Sequence, residues 1–174
     1  MLSSANQRRI LYVTVMFAVA GLAFGLLPTL YGGQGDTPIQ VGEQADTPTP
    51  SAEQQQQQQN QFKNQVVRFV VTFGPYFPVL LGAVVGLIAG VSFSGSRQDV
   101  LVSAAAGAFV GTILFLLLSG LLAVQQAAVS ENSFQFSEPV SLKFGTQLLN
   151  GVFVGIPAAI GAAGGAYAGD ELGE

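Results

Sequence analysis

Four long apolar segments dominate the pattern of hydrophobic and polar positions along the chain. They cover residues 10–30, 75–94, 100–124 and 148–168, and none contains Asp, Glu, Lys or Arg. Because an α-helix rises 1.5 Å per residue, about 20 apolar residues cross the roughly 30 Å hydrocarbon core of a bilayer. Four such segments in 174 residues leave too little polar sequence to enclose them in a soluble protein. The pattern predicts an all-α integral membrane protein with four transmembrane helices in two hairpins.

The ends of these helices are indicated by tyrosine and proline. All four tyrosines lie within two residues of a proposed helix end, where an amphipathic ring prefers the headgroup level: Tyr12, Tyr31, Tyr76 and Tyr167. The predicted transmembrane helices are 10–31, 75–94, 100–124 and 142–169. Pro157 removes the hydrogen bond to the carbonyl of Phe153, so the fourth helix is predicted to kink there.

A fifth, amphipathic helix is predicted at residues 61–73. Five apolar residues share one helical face, and Lys63 and Arg68 lie off it: Phe62, Val66, Phe69, Val70 and Phe73. This pattern is typical of a helix lying in the membrane interface, ended by Gly74 and Pro75. Alternatively, the second transmembrane helix begins near Val66 and kinks between residues 75 and 78. Proline is best tolerated in a first helical turn, which favours a new helix near residue 75.

The remaining segments are polar. Residues 32–60 contain an imperfect decamer duplication and a glutamine run, and are predicted to be a disordered acidic loop rich in Pro, Thr and Gln. Its role as a partner-binding stalk stays open. Residues 125–141 are predicted to form a second, external loop, and residues 170–174 an acidic, solvated tail. Ser96 and Asp99 have the spacing of a capping box at the start of the third transmembrane helix.

Lysine and arginine positions predict the orientation. With residues 1–9 in the cytoplasm, three basic residues are inside (Arg8, Arg9 and Arg97) and three are outside (Lys63, Arg68 and Lys143). Long segments translocate largely regardless of charge, so residues 32–74 are discounted, which leaves three basic residues inside against Lys143 outside. The chain is therefore predicted to lie in the cell membrane with both termini in the cytoplasm. A cleaved signal peptide would be an alternative for the first segment. The small-residue sequence at 18–20 lies in the middle of the apolar run, which favours a retained anchor.

Composition limits the chemistry available. Only 9% of residues are charged, against 49% hydrophobic, and His and Cys are absent. All ten carboxylates lie in predicted loops or tails, so no catalytic, cofactor or metal site is predicted, and the protein is not expected to be an enzyme. The lack of ionisable residues within the spans weighs against a proton-coupled transporter. A net charge of −4 argues against a nucleic-acid partner.

The acidic, lysine-poor composition resembles that of small uncharacterised membrane proteins from salt-loving archaea. The sequence has a pI near 4.6 and a mean hydropathy of +0.49. The resemblance is compositional and includes no motif, so it implies a small polytopic membrane protein and no particular activity.

Small residues spaced four apart recur in every predicted span. Such rows let helix backbones approach closely in lipid, where little hydrophobic force drives helices together. A phosphate-binding interpretation lacks the required lysine and preceding strand. The predicted helix-packing residues are Gly21, Gly25, Gly82, Gly86, Gly90, Ser103, Gly107, Gly111, Gly151, Gly155, Gly161, Gly165 and Gly169. Asn150, at the polar entry to the fourth span, is the candidate for a group that faces a pore or ligand.

These observations favour a non-enzymatic four-span protein that acts through helix packing, as an accessory or structural subunit. The alternative is an oligomeric channel or facilitator whose pore is lined by small residues. The expected partners are the lipid bilayer and either further copies of the chain or a larger membrane complex. The sequence leaves open whether the glycine rows pack within one chain or between chains.

Overall fold

Six α-helices and one short 3₁₀ helix account for the folded elements of the computed structural model, which describes residues 4–32, 52–126 and 144–173. The 3₁₀ helix is Gly74–Tyr76, and no strand occurs within the described ranges. The α-helices are α1 (Ser4–Gly25), α2 (Leu27–Gly32), α3 (Ala52–Phe73), α4 (Phe77–Ser92), α5 (Arg97–Gln125) and α6 (Phe144–Gly173).

Within these described ranges, four helical segments are long and apolar enough to cross a membrane. The prediction of an all-α protein with four candidate spans is confirmed. The length and apolar composition of these helices are those of a membrane protein. The segments are Ser4–Tyr31, Gln59–Ser92, Arg97–Gln125 and Phe144–Gly173. Of the predicted loops, residues 33–51 and 127–143 lie outside the described residues. Residues 52–60, predicted as the end of the disordered loop, instead form the first turns of α3.

Helix α1 packs on α5 in parallel orientation. Gly107 of α5 lies against Val13 of α1, and Gly25, three turns further along α1, lies against Ser119 of α5. Residue numbers on the two helices therefore rise together along the contact. Because α1 and α5 are the first helices of the two predicted hairpins, the hairpins lie side by side in the same direction.

The second helices of the two hairpins, α4 and α6, are also parallel neighbours. Gly82 of α4 lies against Ala158 of α6, and Gly90 lies against Ala166. Helices α5 and α6 pack against each other in antiparallel orientation, since Gly151 meets Ile113 and Gly155 meets Phe109 further back along α5. The bundle therefore runs from α1 through α5 and α6 to α4.

Small residues make up much of the bundle interior, and large apolar residues cover much of its surface. Ala104, Ala108, Ala158 and Ala162 are fully buried, whereas Phe153 is 71% exposed. A soluble domain places its large apolar residues inside. In lipid the outward face is also apolar, so polarity alone does not separate the inside of this bundle from its outside, and the rings of Phe17 and Phe115 are buried together with the small residues.

Helix α3 packs on α2 and on the last turns of α5. Val67 and Val70 of α3 are buried with Ala123 of α5, while Phe69 and Phe73 remain about half exposed. The face predicted from sequence thus points largely outward, and the buried face is rotated toward Val67. The two phenylalanine rings stack on each other, with centroids 5.0 Å apart.

The connection between α3 and α4 is a single 3₁₀ turn rather than a loop. Helix α4 begins at Phe77, with Pro78 in its first turn. Its 16 residues rise only about 24 Å, less than the roughly 30 Å hydrocarbon core. A complete second crossing therefore includes the 3₁₀ turn and part of α3. The location of residues 61–73 in the membrane interface stays a prediction.

Candidate functional site

The closest helix contact in the bundle is the seam between α4 and α6. A Cβ atom added to Gly82 would lie 2.5 Å from the carbonyl oxygen of Ala158, closer than real Cβ atoms approach. Added Cβ atoms at Gly86 and Gly90 would lie closer still to the carbonyls of Ala162 and Ala166, respectively. Successive glycines on α4 therefore meet successive alanine carbonyls on α6 along three turns.

The seam is reciprocal, because glycines of α6 also meet carbonyls of α4. Gly165 and Gly169 face the carbonyl oxygens of Ala83 and Leu87, and Gly161 lies more loosely against Val79. Since both helices present glycine to backbone, the approach is limited by main-chain atoms alone. We refer to this contact, formed by residues 82, 86 and 90 of α4 and 161, 165 and 169 of α6, as the α4–α6 seam.

A second seam joins α1 and α5 but mixes backbone with side-chain contacts. An added Cβ at Gly21 would lie 2.8 Å from the Cα of Phe115, and one at Gly111 would lie 2.7 Å from the Cβ of Phe17. Gly107 meets Val13 in the same manner. Gly107 and Gly111 therefore accommodate the side chains of Val13 and Phe17, whereas Gly21 meets the main chain of Phe115.

The structure places the remaining sequence-predicted residues at different depths. Gly151 and Gly155 are buried where α6 crosses Ile113 and Phe109 of α5. Ser103 is buried one turn before Gly107, and within the described residues its hydroxyl has no hydrogen-bond partner. Asn150 is half-buried in the second turn of α6 and does not line the cleft described below.

Three hydroxyl groups inside the bundle bond to backbone. Thr112 Oγ1 donates to the Ala108 carbonyl at 2.8 Å, one turn back along α5. Thr14 Oγ1 donates to the Gly107 carbonyl at 3.3 Å, which links α1 to α5, and Ser119 Oγ lies 3.5 Å from the Leu116 carbonyl. These hydroxyl groups bond to main-chain carbonyls, two within α5 and one between α1 and α5, and do not converge on a common cavity.

Polar residues from three elements meet at one end of the bundle. Asn6 Nδ2 donates to Asp99 Oδ1 at 2.9 Å, and Arg9 Nη1 donates to Asn6 Oδ1 at the same distance. Arg9 also donates to the carbonyl of Ser94. Gly95 has a φ of 149°, and an added Cβ would lie 2.5 Å from the Arg9 guanidinium. The positive φ favours glycine here, whereas the flexible end of the Arg9 side chain could move away from a Cβ atom.

The predicted capping box at the start of α5 forms within this group. Ser96 is the N-cap, and its Oγ accepts from the backbone N–H of Asp99 at 3.2 Å. The same hydroxyl donates to Asp99 Oδ2 at 2.6 Å. Both carboxylate oxygens of Asp99 therefore have donors, one on α1 and one at the helix cap.

Sequence analysis missed an ion-pair network between α5 and α6. Arg97 Nε donates to Asp170 Oδ2 at 2.6 Å, and Nη2 pairs with Glu171. The guanidinium also lies 4.3 Å from the ring centroid of Tyr167, within cation–π range. The two acidic residues belong to the last turn of α6 and not to a separate tail. Because α5 and α6 are antiparallel, the start of α5 lies beside the end of α6. An antiparallel arrangement of the third and fourth spans could therefore have indicated the pairing of Arg97 with the acidic residues.

The opposite end of the bundle is closed by a glutamine and by aromatic rings. Gln126 Nε2 donates to the Gly25 carbonyl at 3.2 Å, and Thr29 Oγ1 donates to the Gln126 side-chain oxygen. Below them, the rings of Phe24 and Phe77 stack with centroids 5.1 Å apart, and both contact Phe115. This cluster joins α1, α4 and α5.

An apolar cleft lies between α1 and α4. It has a volume of about 220 Å³ and is lined from α1 by Tyr12, Val13 and Met16. Within the described residues, no three His, Cys, Asp or Glu side chains come together in a way that could hold a metal ion. The geometry supports tight helix association and a small hydrophobic recess.

Comparisons with known proteins add no relationship. No protein-family model, no curated protein and no solved structure matches this chain.

Proposed function

We propose that the chain is a non-enzymatic integral membrane protein that acts as an accessory or structural subunit of a larger membrane assembly. The observation that carries this proposal is the α4–α6 seam, where backbone meets backbone along three turns. Transport by alternating access requires helices to move against one another. Direct contact between the main chains of α4 and α6 leaves these helices little freedom to move, which favours a fixed scaffold over a transporter.

The use of the small residues supports the same proposal. Glycines of α1, α4, α5 and α6 face neighbouring helices of the same chain, and added Cβ atoms there would meet atoms of those helices. The small residues are thus available to line a pore only if these intrachain contacts open. The outward faces instead carry large apolar side chains such as Leu80 and Ile160, which suit lipid or another membrane protein.

The location and orientation belong to the same proposal. We place the chain in the cell membrane with both termini and the Arg97 end in the cytoplasm, on the basis of its arginine positions. The native chain has no cysteine, so single cysteines report accessibility without background. In intact cells, a membrane-impermeant maleimide should label Gln61→Cys but should label Gln98→Cys only after permeabilisation. The reverse pattern would show the opposite orientation.

Two measurements on the full chain separate an accessory subunit from a channel. Purified protein in liposomes should give no flux of potassium, chloride or small neutral solutes above that of empty liposomes. After gentle extraction from its native membrane, the 18.0 kDa chain should migrate in an assembly with at least one different membrane protein.

The opposite results would support the alternative. Flux that rises with the amount of reconstituted protein, together with an assembly of identical chains, would favour a channel or facilitator and contradict the accessory role. Asn150→Leu serves as the matched variant, because Asn150 is the half-buried polar residue at the entry to α6. Loss of flux in that variant would assign the pore to this region.

A further inference from the structure

The pair of helices α1 and α4 differs from the equivalent pair α5 and α6. Gly151 and Gly155 let α6 approach α5 closely. The glycines of α1 instead face α5, and those of α4 face α6. Larger residues are left between α1 and α4, and the cleft opens there, lined by Tyr12, Val13 and Met16 on one side and by Val85, Ile88 and Ala89 on the other.

Two arginines lie at the polar end of this cleft. Arg8, Tyr12 and Met16 are spaced four residues apart and therefore share one face of α1. The Arg9 guanidinium lies 5.9 Å from the ring centroid of Phe93, which also lines the cleft. Asn6 and the Ser94 carbonyl hold Arg9 in this position.

Neither arginine is neutralised by a direct ion pair within the described residues. The ion pairs found there involve Arg97 with Asp170 and Glu171 of α6. Asp99 interacts with Arg9 only through longer-range charge attraction, because its two carboxylate oxygens accept hydrogen bonds from Asn6 and Ser96. Positive charge is therefore available at the point where the apolar cleft reaches the membrane surface.

We infer that the α1–α4 cleft binds one acyl chain of an anionic glycerophospholipid from the adjoining leaflet, with the lipid phosphate at Arg8 and Arg9. Charge complementarity selects this occupant, because an arginine pair beside an apolar recess matches a phosphate joined to a hydrocarbon chain. Juxtamembrane arginines attract anionic lipid by roughly fivefold in affinity each.

Tryptophan fluorescence tests this site, because the native chain contains no tryptophan. Met16→Trp places a reporter in the cleft. Ile160→Trp is the control, since Ile160 is 68% exposed on α6. Ala158 and Ala162 of α6 contact Gly82 and Gly86 of α4, respectively. Ile160 lies between these two alanines, so its depth in the membrane is nearly that of Val85 in the cleft.

Full-length variants are reconstituted in phosphatidylcholine vesicles containing a minor fraction of phosphatidylglycerol. Bromine atoms on the acyl chains of either lipid quench nearby tryptophan. Brominated phosphatidylglycerol should quench the Met16→Trp variant several-fold more than its share of the lipid predicts. The Ile160→Trp variant should be quenched in proportion to that share.

Arginine replacements identify the headgroup contact. In the Met16→Trp background, Arg8→Gln with Arg9→Gln should remove the preference for phosphatidylglycerol, by roughly fivefold per arginine. Lys63→Gln with Arg68→Gln removes two cations at the opposite end and should leave it unchanged. If the double variant fails to fold, Arg8→Gln alone gives the same test, because the Arg8 side chain is exposed and its replacement should not disturb folding. Equal quenching at both reporters, or a preference unaffected by Arg8→Gln, would overturn the inference.

Discussion

Replacing Gly86 with leucine is expected to lower the free energy of unfolding by at least about 3 kcal/mol. A Cβ atom at this position overlaps the carbonyl group of Ala162, and main-chain atoms of a neighbouring helix cannot rotate away as a side chain can. Helices α4 and α6 would have to separate along their whole contact. Thermal unfolding of the purified protein in detergent, followed by helical circular dichroism and by size-exclusion chromatography, measures the loss.

Gly164→Leu is the matched control for this change. Gly164 lies on α6 within the same turns as the seam, yet a Cβ there would meet no atom within 4 Å. The control should unfold at nearly the native temperature, and Gly86→Ala should fall between the two. If Gly86→Leu and Gly164→Leu were equally stable, the α4–α6 seam would not be what holds these helices together.

Truncating Phe115 to alanine is expected to destabilise the bundle by about 3 kcal/mol through the cavity it leaves. The Phe115 side chain is fully buried, and its ring centroid lies 5.7 Å from that of Phe24 and 6.0 Å from that of Phe77. Three helices would lose a common contact at once. The same unfolding measurement applies, and a bulky apolar additive that fills the cavity should recover part of the loss.

Phe153→Ala removes the same number of atoms from a very different environment. Phe153 is 71% exposed on the outer face of α6, so its removal should change stability by less than about 0.5 kcal/mol. A comparable loss in both variants would mean that outward phenylalanines pack on something other than lipid or detergent.

The four spans could be predicted from sequence because their physical cause is length and polarity. Crossing hydrocarbon requires about 20 residues without charge, and that requirement is visible in one dimension. The spacing of small residues was equally visible, and positions such as Gly86 lie at helix contacts in the structure. The capping interaction of Ser96 with Asp99 also follows from local chemistry alone.

The partners of each glycine row could not be predicted. Gly82 and Gly107 have the same kind of sequence surroundings, yet one meets a backbone carbonyl of α6 and the other a valine side chain of α1. Small residues permit close approach to any helix. The choice among partners depends on how all four helices share the available faces, which no single segment encodes.

In α3, helical periodicity located an apolar face without showing which side of the helix packs on protein. Periodicity identifies an apolar face, and it selected the face containing Phe62 and Phe73. In the structure both residues are about half exposed, while Val67 is fully buried. When lipid is a neighbour, large apolar side chains are stable on the outside, so an apolar stripe no longer identifies the side that packs on protein.

The α4–α6 seam also determines which entropy is lost when the bundle assembles. Its contact residues are mostly glycine and alanine, which have no side-chain rotamers to freeze. Helices in lipid have already fixed their backbone through internal hydrogen bonds. Joining these two helices therefore costs chiefly their independent rotation and translation in the membrane plane. Contacts between main-chain atoms are individually weak, but they can hold α4 and α6 together because little conformational entropy is lost when the two helices associate.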